Sequence, residues 1–309
     1  MQVALIREHG GPEVLRLEDH EPPTAGPDEV LVRVLAVSVN HLDLWVRRGM
    51  PGMPIPMPRV LGCDGTGEVV ALGDDVQDCG LAVGQKVVIE PGTSSGASDW
   101  DRAGLDPVHA AAMPLTFLTA WGMLVTRVDL EEGERVLVLG GTSGVGVAAI
   151  QIAKRIGAEV IATAGTPQKR ELCLELGADH VIDHHQENWS KEVKGLTGGG
   201  VDVVVEHVGP ATWGESTRCL ARNGRLVTCG GTTGPKVDLV LPHLFMKNLS
   251  VLGSTMGPRT AFEPIFAEAA AGNFRPVVHD VLPLSEIRAA HEALEAGEVL
   301  GKLVLVPGS

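Results

Sequence analysis

The chain has 309 residues, of which 44% are apolar, and its 25 Lys and Arg against 39 Asp and Glu give a net charge of −14. This apolar content excludes intrinsic disorder, and the length favours two domains. The acidic balance argues against a nucleic-acid partner, which needs clustered cations, and against an anionic membrane surface. The chain has no tyrosine, which excludes a tyrosine proton donor.

The cysteines and the amino terminus predict a cytoplasmic protein. Five cysteines, none of them in a CxxC pair, are typical of a reduced compartment rather than of a disulfide framework. The first eleven residues include Arg7, Glu8 and His9, where a signal peptide needs an apolar run. No apolar stretch approaches the roughly 20 residues that span a bilayer.

Short strands separated by turn residues dominate the first ninety positions. Strand patterns cover residues 30–39, 67–71 and 86–89, and the proline-rich segment 50–58 interrupts them. A short helix is predicted over 41–48. This half is therefore expected to form an antiparallel β-domain.

From about residue 113 the pattern changes to alternating strands and helices. A helical segment at 114–127 is followed by a strand at 135–140, a helix at 144–156 and a strand at 159–163. Further predicted elements are strands at 202–206, 224–229, 249–254 and 302–306, and helices beginning at Pro167 and at 211–221, 260–271 and 284–296. Such alternation predicts an α/β fold with a doubly wound parallel sheet.

The most specific motif is GGTSGVG at residues 140–146, between a predicted strand and a predicted helix. Glycines permit a tight turn and a close approach of the backbone to a pyrophosphate, which then faces the helix N-terminus. Read as GxGxxG, the residues are Gly141, Ser143 and Gly146, so the middle glycine is missing. The context still favours dinucleotide binding over a tight turn without ligand.

Charge indicates which dinucleotide is bound. NAD enzymes place an acid about 20 residues after the turn, on the ribose hydroxyls. Here the end of the second strand, residues 162–166, carries no acid, and the next acid is Glu171. Lys169 and Arg170, with the hydroxyls of Thr163 and Thr166, suit a 2′-phosphate instead. NADP(H) is favoured, the alternative being that the two cations merely solvate a helix surface.

Several ordered motifs together resemble the medium-chain dehydrogenase/reductase superfamily, in its zinc-free quinone-oxidoreductase-like (zeta-crystallin-like) branch. They are VNHLD at 39–43, VLGCDGTGEVVALG at 60–73, AAAMPLTFLTAW at 110–121 and GKLVL at 301–305. The resemblance implies a Rossmann domain at 122–258 and a GroES-like catalytic domain at 1–121 and 259–309, with an active cleft between them. It also implies a homodimer through the edge of the Rossmann sheet, near residues 249–254.

The same resemblance bears on metal binding. The positions that hold catalytic zinc in zinc members are occupied here by Asn40, Cys63 and about Leu115. One thiolate, even with Asp64, does not supply the three protein ligands that zinc needs. The site is therefore expected to be free of metal, and the histidines at 180, 184 and 185 are interpreted as a solvated edge rather than a metal site.

The resemblance also assigns the site residues. Asn40, Asp43 and Thr119 are the catalytic candidates, with helix capping as the alternative for Asn40 and a salt bridge for Asp43. The cofactor-binding candidates are His41, Gly141, Thr142, Ser143, Gly144, Val145, Gly146, Thr163, Gly165, Thr166, Lys169, Gly230, Gly231, Gly253, Ser254, Thr255 and Lys302.

These assignments predict an NADPH-dependent reductase that transfers hydride to a quinone or an α,β-unsaturated carbonyl. Such acceptors delocalise charge and need no Lewis acid, and Leu42 stands where zinc enzymes have a Ser or Thr proton relay. The alternatives are an alcohol dehydrogenase or aldehyde reductase and a non-catalytic NADPH-binding protein.

Segment 92–105 is shorter than the family pattern, so the GroES-like domain is expected to be shortened, whether naturally or by omission of a segment.

Overall fold

The computed structural model describes residues 1–76, 80–92, 97–98 and 105–308. The strands are β1 Gln2–Ile6, β2 Arg16–Asp19, β3 Val30–Ser38, β4 Arg59–Val60, β5 Asp64–Leu72, β6 Lys86–Ile89, β7 Ala97–Ser98, β8 Arg135–Val138, β9 Glu159–Thr163, β10 His180–Ile182, β11 Val201–Glu206, β12 Leu220–Thr228, β13 Ser250–Gly253, β14 Val278–Pro283 and β15 Lys302–Val306. The helices are α1 His41–Arg48, α2 Pro107–Ala111, α3 Pro114–Trp121, α4 Gly144–Ile156, α5 Pro167–Glu175, α6 Trp189–Thr197, α7 Pro210–Cys219, α8 Leu241–Lys247, α9 Phe262–Ala270 and α10 Ile287–Glu295.

The chain divides into two compact units. The first unit consists of Met1–Leu115, Phe266–Ala271 and Arg275–Ser309, and the second unit of Thr116–Ile265 and Gly272–Phe274. No helix among the described residues is long and apolar enough to cross a bilayer.

Two sheets build the first unit. A three-stranded antiparallel sheet has the order β2-β1-β4, and a six-stranded sheet has the order β14-β15-β3-β5-β6-β7. All pairs in the larger sheet are antiparallel except β14 with β15. Ile6, Val39, Ala290 and Leu305 are among the buried residues that pack α10 against these strands. This is the GroES-like part of the fold.

One six-stranded parallel sheet organises the second unit, with the order β10-β9-β8-β11-β12-β13. Its inner strands are continuous apolar runs because helices cover both faces, as Leu137, Ile161 and Val204 in the core illustrate. The strand order changes direction between β8 and β11: β8, β9 and β10 follow one another towards one edge, and β11, β12 and β13 follow one another towards the other. In open α/β sheets, ligands bind at the carboxyl ends of the strands at such a point. The second unit is a Rossmann fold, as predicted.

The predicted bounds of five elements agree with the structure: α1, β6, α4, β9 and β15. The predicted helix at 114–127 begins as α3 and continues as a π-helical stretch, Gly122–Arg127. Sequence analysis did not identify β1, β2, α6, α8 and β14. The predicted shortening at 92–105 falls largely on residues outside those that the structure describes.

Candidate functional site

The glycine-rich turn follows β8 at the carboxyl edge of the parallel sheet. Gly140 has a φ of 56°, a conformation that favours glycine. A Cβ on Gly146 would lie 2.8 Å from the carbonyl carbon of Gly141, and closer still to the carbonyl oxygen of Gly140, so only glycine fits there. The neighbouring strand fixes the turn, because Thr163 accepts from Gly140 N through its hydroxyl (3.0 Å) and from Gly141 N through its carbonyl (2.9 Å).

Ser143 turns this loop into the start of α4. Its hydroxyl caps the helix by accepting a hydrogen bond from Gly146 N at 3.0 Å. Thr142 is buried in the turn, and Gly144 and Val145 form the first residues of the helix. A helix N-terminus presents its free N–H groups and positive dipole end to an anion. The predicted pyrophosphate residues are therefore brought together in one suitable turn.

His207 is a residue of this site that sequence analysis did not identify. It follows the carboxyl end of β11, and its Nε2 donates to the carbonyl oxygen of Leu139 at 2.7 Å and lies 3.3 Å from Ser143 Oγ. Burial lowers the pKa of His207, so a neutral imidazole holds the turn. The sequence signal was its place directly after a buried strand that neighbours β8 in the sheet.

Glu206, directly before His207, is fully buried without a cationic partner among the described residues. Its carboxylate accepts from Val208 N (2.7 Å), Gly209 N (3.0 Å), the Thr212 hydroxyl (2.9 and 3.1 Å) and the Ser216 hydroxyl (2.6 Å). These neutral donors fix the loop that carries His207.

The loops after β12 and β13 supply the next predicted residues. Gly230 and Gly231 follow β12, and Gly253, Ser254 and Thr255 end and follow β13. Ser254 is buried, and its N–H donates to the carbonyl oxygen of Thr228 at 2.8 Å, which continues the strand pairing.

Two glycines allow the loop after β13 to lie against α3, which carries the buried Thr119. A Cβ on Gly257 would lie 3.2 Å from the carbonyl carbon of Leu118, and a Cβ on Gly122 would lie 2.8 Å from the Cα of Gly257. The predicted residues Thr119, Ser254 and Thr255 are thus grouped on one side of the second unit.

The predicted 2′-phosphate residues lie around the end of β9. Thr166 caps α5 by accepting from Lys169 N at 3.2 Å, and Gly165 precedes it. The Thr163 hydroxyl faces Gly140, as described above. Arg170 binds Asp183 at 2.9 Å, so its charge is paired within the protein.

A separate buried cluster lies in the first unit around Asp64. This carboxylate accepts from Ser38 Oγ (2.8 Å), Asn40 Nδ2 (2.9 Å), Leu115 N (2.8 Å) and Lys302 Nζ (3.4 Å). Lys302 also donates to Asn40 Oδ1. Lys302, predicted as a cofactor residue, is therefore placed in an ion pair with Asp64.

Asn40 is oriented by this ion pair, since its oxygen faces the ammonium and its amide nitrogen faces the carboxylate. The other contacts of Nδ2 are weak, at 3.4 Å to Ser38 O and 3.6 Å to Cys63 Sγ. Cys63 is a partly exposed member of the cluster. The second N–H of Asn40 is therefore held by long contacts, on the side of Cys63.

Asp43 fixes the turn that carries Asn40. Its buried carboxylate accepts from Asn40 N at 2.8 Å and from Gly62 N at 3.0 Å, which joins the start of α1 to the segment before Asp64. Burial raises the pKa of Asp43 to about 6. His41, the first residue of α1, is half-buried.

These side chains do not fit a zinc ion. Cys63 is the single sulfur of this cluster, and together with Asp64 it falls short of the three protein ligands that a catalytic zinc needs. The ammonium of Lys302 already balances Asp64. Among the described residues, no group of three His, Cys, Asp or Glu side chains could hold a metal.

Comparison with known proteins places both units in one family. The alcohol dehydrogenase GroES-like domain matches residues 26–149, and the zinc-binding dehydrogenase domain matches residues 144–271. A quinone oxidoreductase of Pseudomonas aeruginosa is 33% identical over 97% of this chain and 97% of its own. The chain belongs to the quinone-oxidoreductase-like branch of the medium-chain dehydrogenase/reductase superfamily.

Solved structures of this superfamily share the whole fold. An NAD-dependent alcohol dehydrogenase is 40% identical, with a TM-score of 0.92 and complete coverage of both chains. The Escherichia coli quinone oxidoreductase complexed with NADPH is 30% identical, with a TM-score of 0.86, and covers 99% of this chain and 100% of its own. Members of this medium-chain dehydrogenase/reductase superfamily thus include both quinone and alcohol enzymes.

Proposed function

We propose that the protein is an NADPH-dependent oxidoreductase that reduces a quinone or an α,β-unsaturated carbonyl without a metal. The observation that carries the proposal is the Asp64–Lys302 ion pair with Asn40. Asn40 is one of the three positions to which the family resemblance assigns the zinc ligands of zinc members. The quinone oxidoreductases among its relatives support the same acceptor class.

In this proposal the second unit binds the dinucleotide. The N–H groups of the turn at 140–146 and the start of α4 bind the pyrophosphate, and His207 keeps the turn in place. Thr166 and Lys169 receive the 2′-phosphate. Residues 122–258 are the proposed Rossmann domain, and residues 1–121 with 259–309 are the proposed catalytic domain.

The nicotinamide end is proposed to use the loops that follow β12 and β13. Backbone groups of Gly230, Gly231, Gly253, Ser254 and Thr255 fix the carboxamide, and the buried Thr119 packs beside the ring. When a cofactor carries the chemistry, the protein contributes binding and orientation of this kind.

On the acceptor side, Asn40 supplies the hydrogen bond. NADPH supplies the hydride when bound, and a quinone or enone then develops negative charge on an oxygen. The second N–H of Asn40 donates to that oxygen, while Lys302 and Asp64 fix the amide and Asp43 positions its backbone. The proton that completes the reduced acceptor comes from water, since Asn40 does not release its own.

An alcohol dehydrogenase is the second candidate, favoured by the 40% identity to an NAD-dependent alcohol dehydrogenase. Alcohol oxidation requires removal of a hydroxyl proton. Neither Leu42 nor the protonated Cys63 takes that proton, and for this reason we place quinone and enone reduction first.

The experiment is a two-way substrate panel. Oxidation of NADPH and of NADH is followed at 340 nm with quinones, enones and aldehydes, and reduction of NADP⁺ and NAD⁺ is followed with simple alcohols. We expect turnover with quinones or enones and NADPH, and little with alcohols. Turnover of alcohols alone would select the second candidate, and NADPH binding without any hydride transfer would overturn both.

We also propose a homodimer through the edge strand β13. The adjacent helix α8 exposes Leu241, Phe245 and Met246 by 60–67%, an apolar surface that a partner would cover. A second copy pairing with β13 would extend the sheet and protect its edge. Light scattering should give twice the chain mass, and Phe245→Asp should give the monomer; a monomeric wild type would contradict the proposal.

The compartment is proposed to be the cytoplasm. The cysteines that the structure describes, Cys63, Cys173, Cys219 and Cys229, are all free thiols. Free thiols are the usual state in a reducing compartment.

A further inference from the structure

Three buried ionisable side chains surround Asn40 in the first unit, and their charges do not cancel. Asp43, Asp64 and Lys302 are exposed by only 5%, 3% and 4%. Asp64 and Lys302 form an ion pair, with 3.4 Å between the carboxylate oxygen and Nζ. When Asp43 is ionised, two acids and one base therefore leave one negative charge in the group.

The uncompensated charge is that of Asp43. Its described hydrogen-bond partners are two neutral backbone groups, Asn40 N at 2.8 Å and Gly62 N at 3.0 Å. Burial raises the pKa of Asp43 to about 6, and the hydrogen bond from Asn40 N and the charge of Lys302 oppose a larger rise. Asp43 is therefore an anion at pH 7 and above.

Asp43 lies beside Asn40 because both belong to the start of α1. Asn40 is the N-cap and Asp43 the third helical residue, and the two form a reciprocal capping box. The carboxylate thus occupies the helix end whose dipole favours an anion. The cations of the same helix, Arg47 and Arg48, lie about 10 Å from Asn40 along the axis, and both bind Glu295.

The Cys63 thiol indicates the sign of the potential on the acceptor side of Asn40. Its sulfur lies 3.6 Å from Asn40 Nδ2, the nitrogen that is proposed to donate to the acceptor oxygen. Burial raises the pKa of this thiol most, Asp64 and Asp43 each raise it further, and Lys302 lowers it by less than either acid raises it. The potential next to Asn40 Nδ2 is therefore negative.

We propose that the carboxylate of Asp43 makes this site select acceptors by charge: uncharged or cationic quinones and enones are reduced, and those that carry a carboxylate, sulfonate or phosphate are disfavoured. This inference rests on the proposed reductase function and narrows its substrate class. The charge that develops on the acceptor oxygen meets the N–H of Asn40, whereas a permanent negative charge elsewhere on the acceptor is repelled by a buried carboxylate that solvent screens poorly. The discrimination comes from repulsion rather than from a better fit.

The test compares three acceptors that share one benzoquinone ring. A short alkyl chain on the ring ends in a carboxylate, in the methyl ester of that carboxylate or in a trimethylammonium group, so the charge changes while the reactivity of the ring is kept. The kcat/KM of each with NADPH is measured at pH 8, well above the pKa of Asp43. We expect the ester and the cation to exceed the carboxylate by about tenfold or more.

Two variants separate Asp43 from the general acidity of the chain. Asp43→Asn should lower kcat/KM for all three acceptors, because Asp43 also positions Asn40, but should bring the three values within about threefold of one another. Asp28→Asn makes the same change in net charge at an exposed residue. The nine residues of β3, about 30 Å in length, separate Asp28 from Asn40, so this variant should keep the wild-type ratio.

Salt provides a measurement that needs no variant. In the wild type the ratio should persist at about 0.5 M salt, which screens surface charges but not a buried one. Equal turnover of ester and carboxylate, a ratio that disappears in salt, or an Asp43→Asn variant with the wild-type ratio would overturn the inference alone, since the ester would still be reduced. Absence of turnover with the ester and the cation would overturn the proposed reductase function as well.

Discussion

Asp64 in the first unit and Glu206 in the second are both buried carboxylates, yet the protein satisfies them differently. Asp64 accepts from a hydroxyl, an amide and a backbone N–H, and it is balanced by the ammonium of Lys302. Glu206 accepts from two backbone N–H groups and two hydroxyls, and its described partners are all neutral. One site balances charge with charge, and the other disperses a charge over dipoles.

The difference predicts how strongly each unit loses stability when one partner of its buried carboxylate is removed. A buried ion pair contributes little net stability, but loss of one partner leaves an uncompensated charge. A carboxylate with several neutral donors loses only one hydrogen bond when one donor is removed. The first unit is therefore expected to respond strongly to single charge changes, and the second unit weakly.

The largest effect is expected from Lys302→Met. This change leaves Asp64 charged and buried and should lower the free energy of unfolding by about 3–5 kcal/mol. Urea denaturation at pH 7 measures it.

The double variant Asp64→Asn/Lys302→Met removes both charges and should regain much of that loss, as the cycle of single and double variants would show. If the losses of the single variants simply added, the ion pair would not be the basis of the effect.

A second buried cation in the first unit predicts a pH effect. Arg47 is fully buried, and its Nη1 lies 3.0 Å from His291 Nδ1, while its Nη2 donates to Glu295. Since arginine only donates, His291 accepts here and is neutral. Burial, with the Arg47 charge adding to its effect, lowers the pKa of His291 from 6.5 to about 4.

The folded state therefore binds fewer protons than the unfolded state between pH 6.5 and pH 4. The contribution of neutral His291 is complete above pH 6.5 and is lost as the pH falls towards 4, by about 3 kcal/mol. The free energy of unfolding of the wild type and of His291→Gln is measured at pH 7 and at pH 4, and the variant should lose less on acidification. Asp43, whose raised pKa shifts stability in the opposite direction, is present in both proteins, so its effect cancels in the comparison. An equal loss in both proteins would contradict the prediction.

A smaller effect is expected at Glu206. Ser216→Ala removes one of its neutral donors and should cost about 2 kcal/mol, the usual worth of a hydrogen bond to a charged group. Thr217→Ala on the same helix, away from Glu206, should stay within about 0.5 kcal/mol. A loss as large as that of Lys302→Met would remove the contrast between the two carboxylates.

The smallest effect is expected at Thr163, which holds the glycine turn through neutral groups only. Thr163→Val should lower the free energy of unfolding by about 1 kcal/mol and weaken NADPH binding several-fold, because Gly140 N loses its acceptor. Thr163→Ser keeps the hydroxyl and should bind NADPH like the wild type. Equal affinity of Thr163→Val would show that the turn does not depend on this bond.

Most helices and strands of the second unit were predicted from the sequence, because its strands are continuous apolar runs and its helices begin at recognisable N-cap residues. Ser143 before α4 and Thr166 with Pro167 before α5 are local signals. The elements that were not identified have weaker patterns. Helix α6 mixes Lys and Glu with apolar residues, and the apolar residues of α8 face outwards rather than a core.

The site was predicted less completely, since its contacts join residues far apart in the chain. Asn40, Asp64 and Lys302 belong to separate motifs, and only the paired strands β3, β5 and β15 bring them together. His207 lacks a motif of its own. His184 was interpreted as a solvated residue, whereas the parallel pairing of β9 and β10 sets it against Gly165.

The most direct test of the central claim measures quinone reduction by NADPH before and after removal of metal. The enzyme is dialysed against a strong chelator, its metal content is measured, and turnover is compared with and without added zinc. We predict the same turnover number in all three states, because Asn40 and the Asp64–Lys302 pair need no metal. Loss of turnover on chelation, with recovery on adding zinc, would contradict the account.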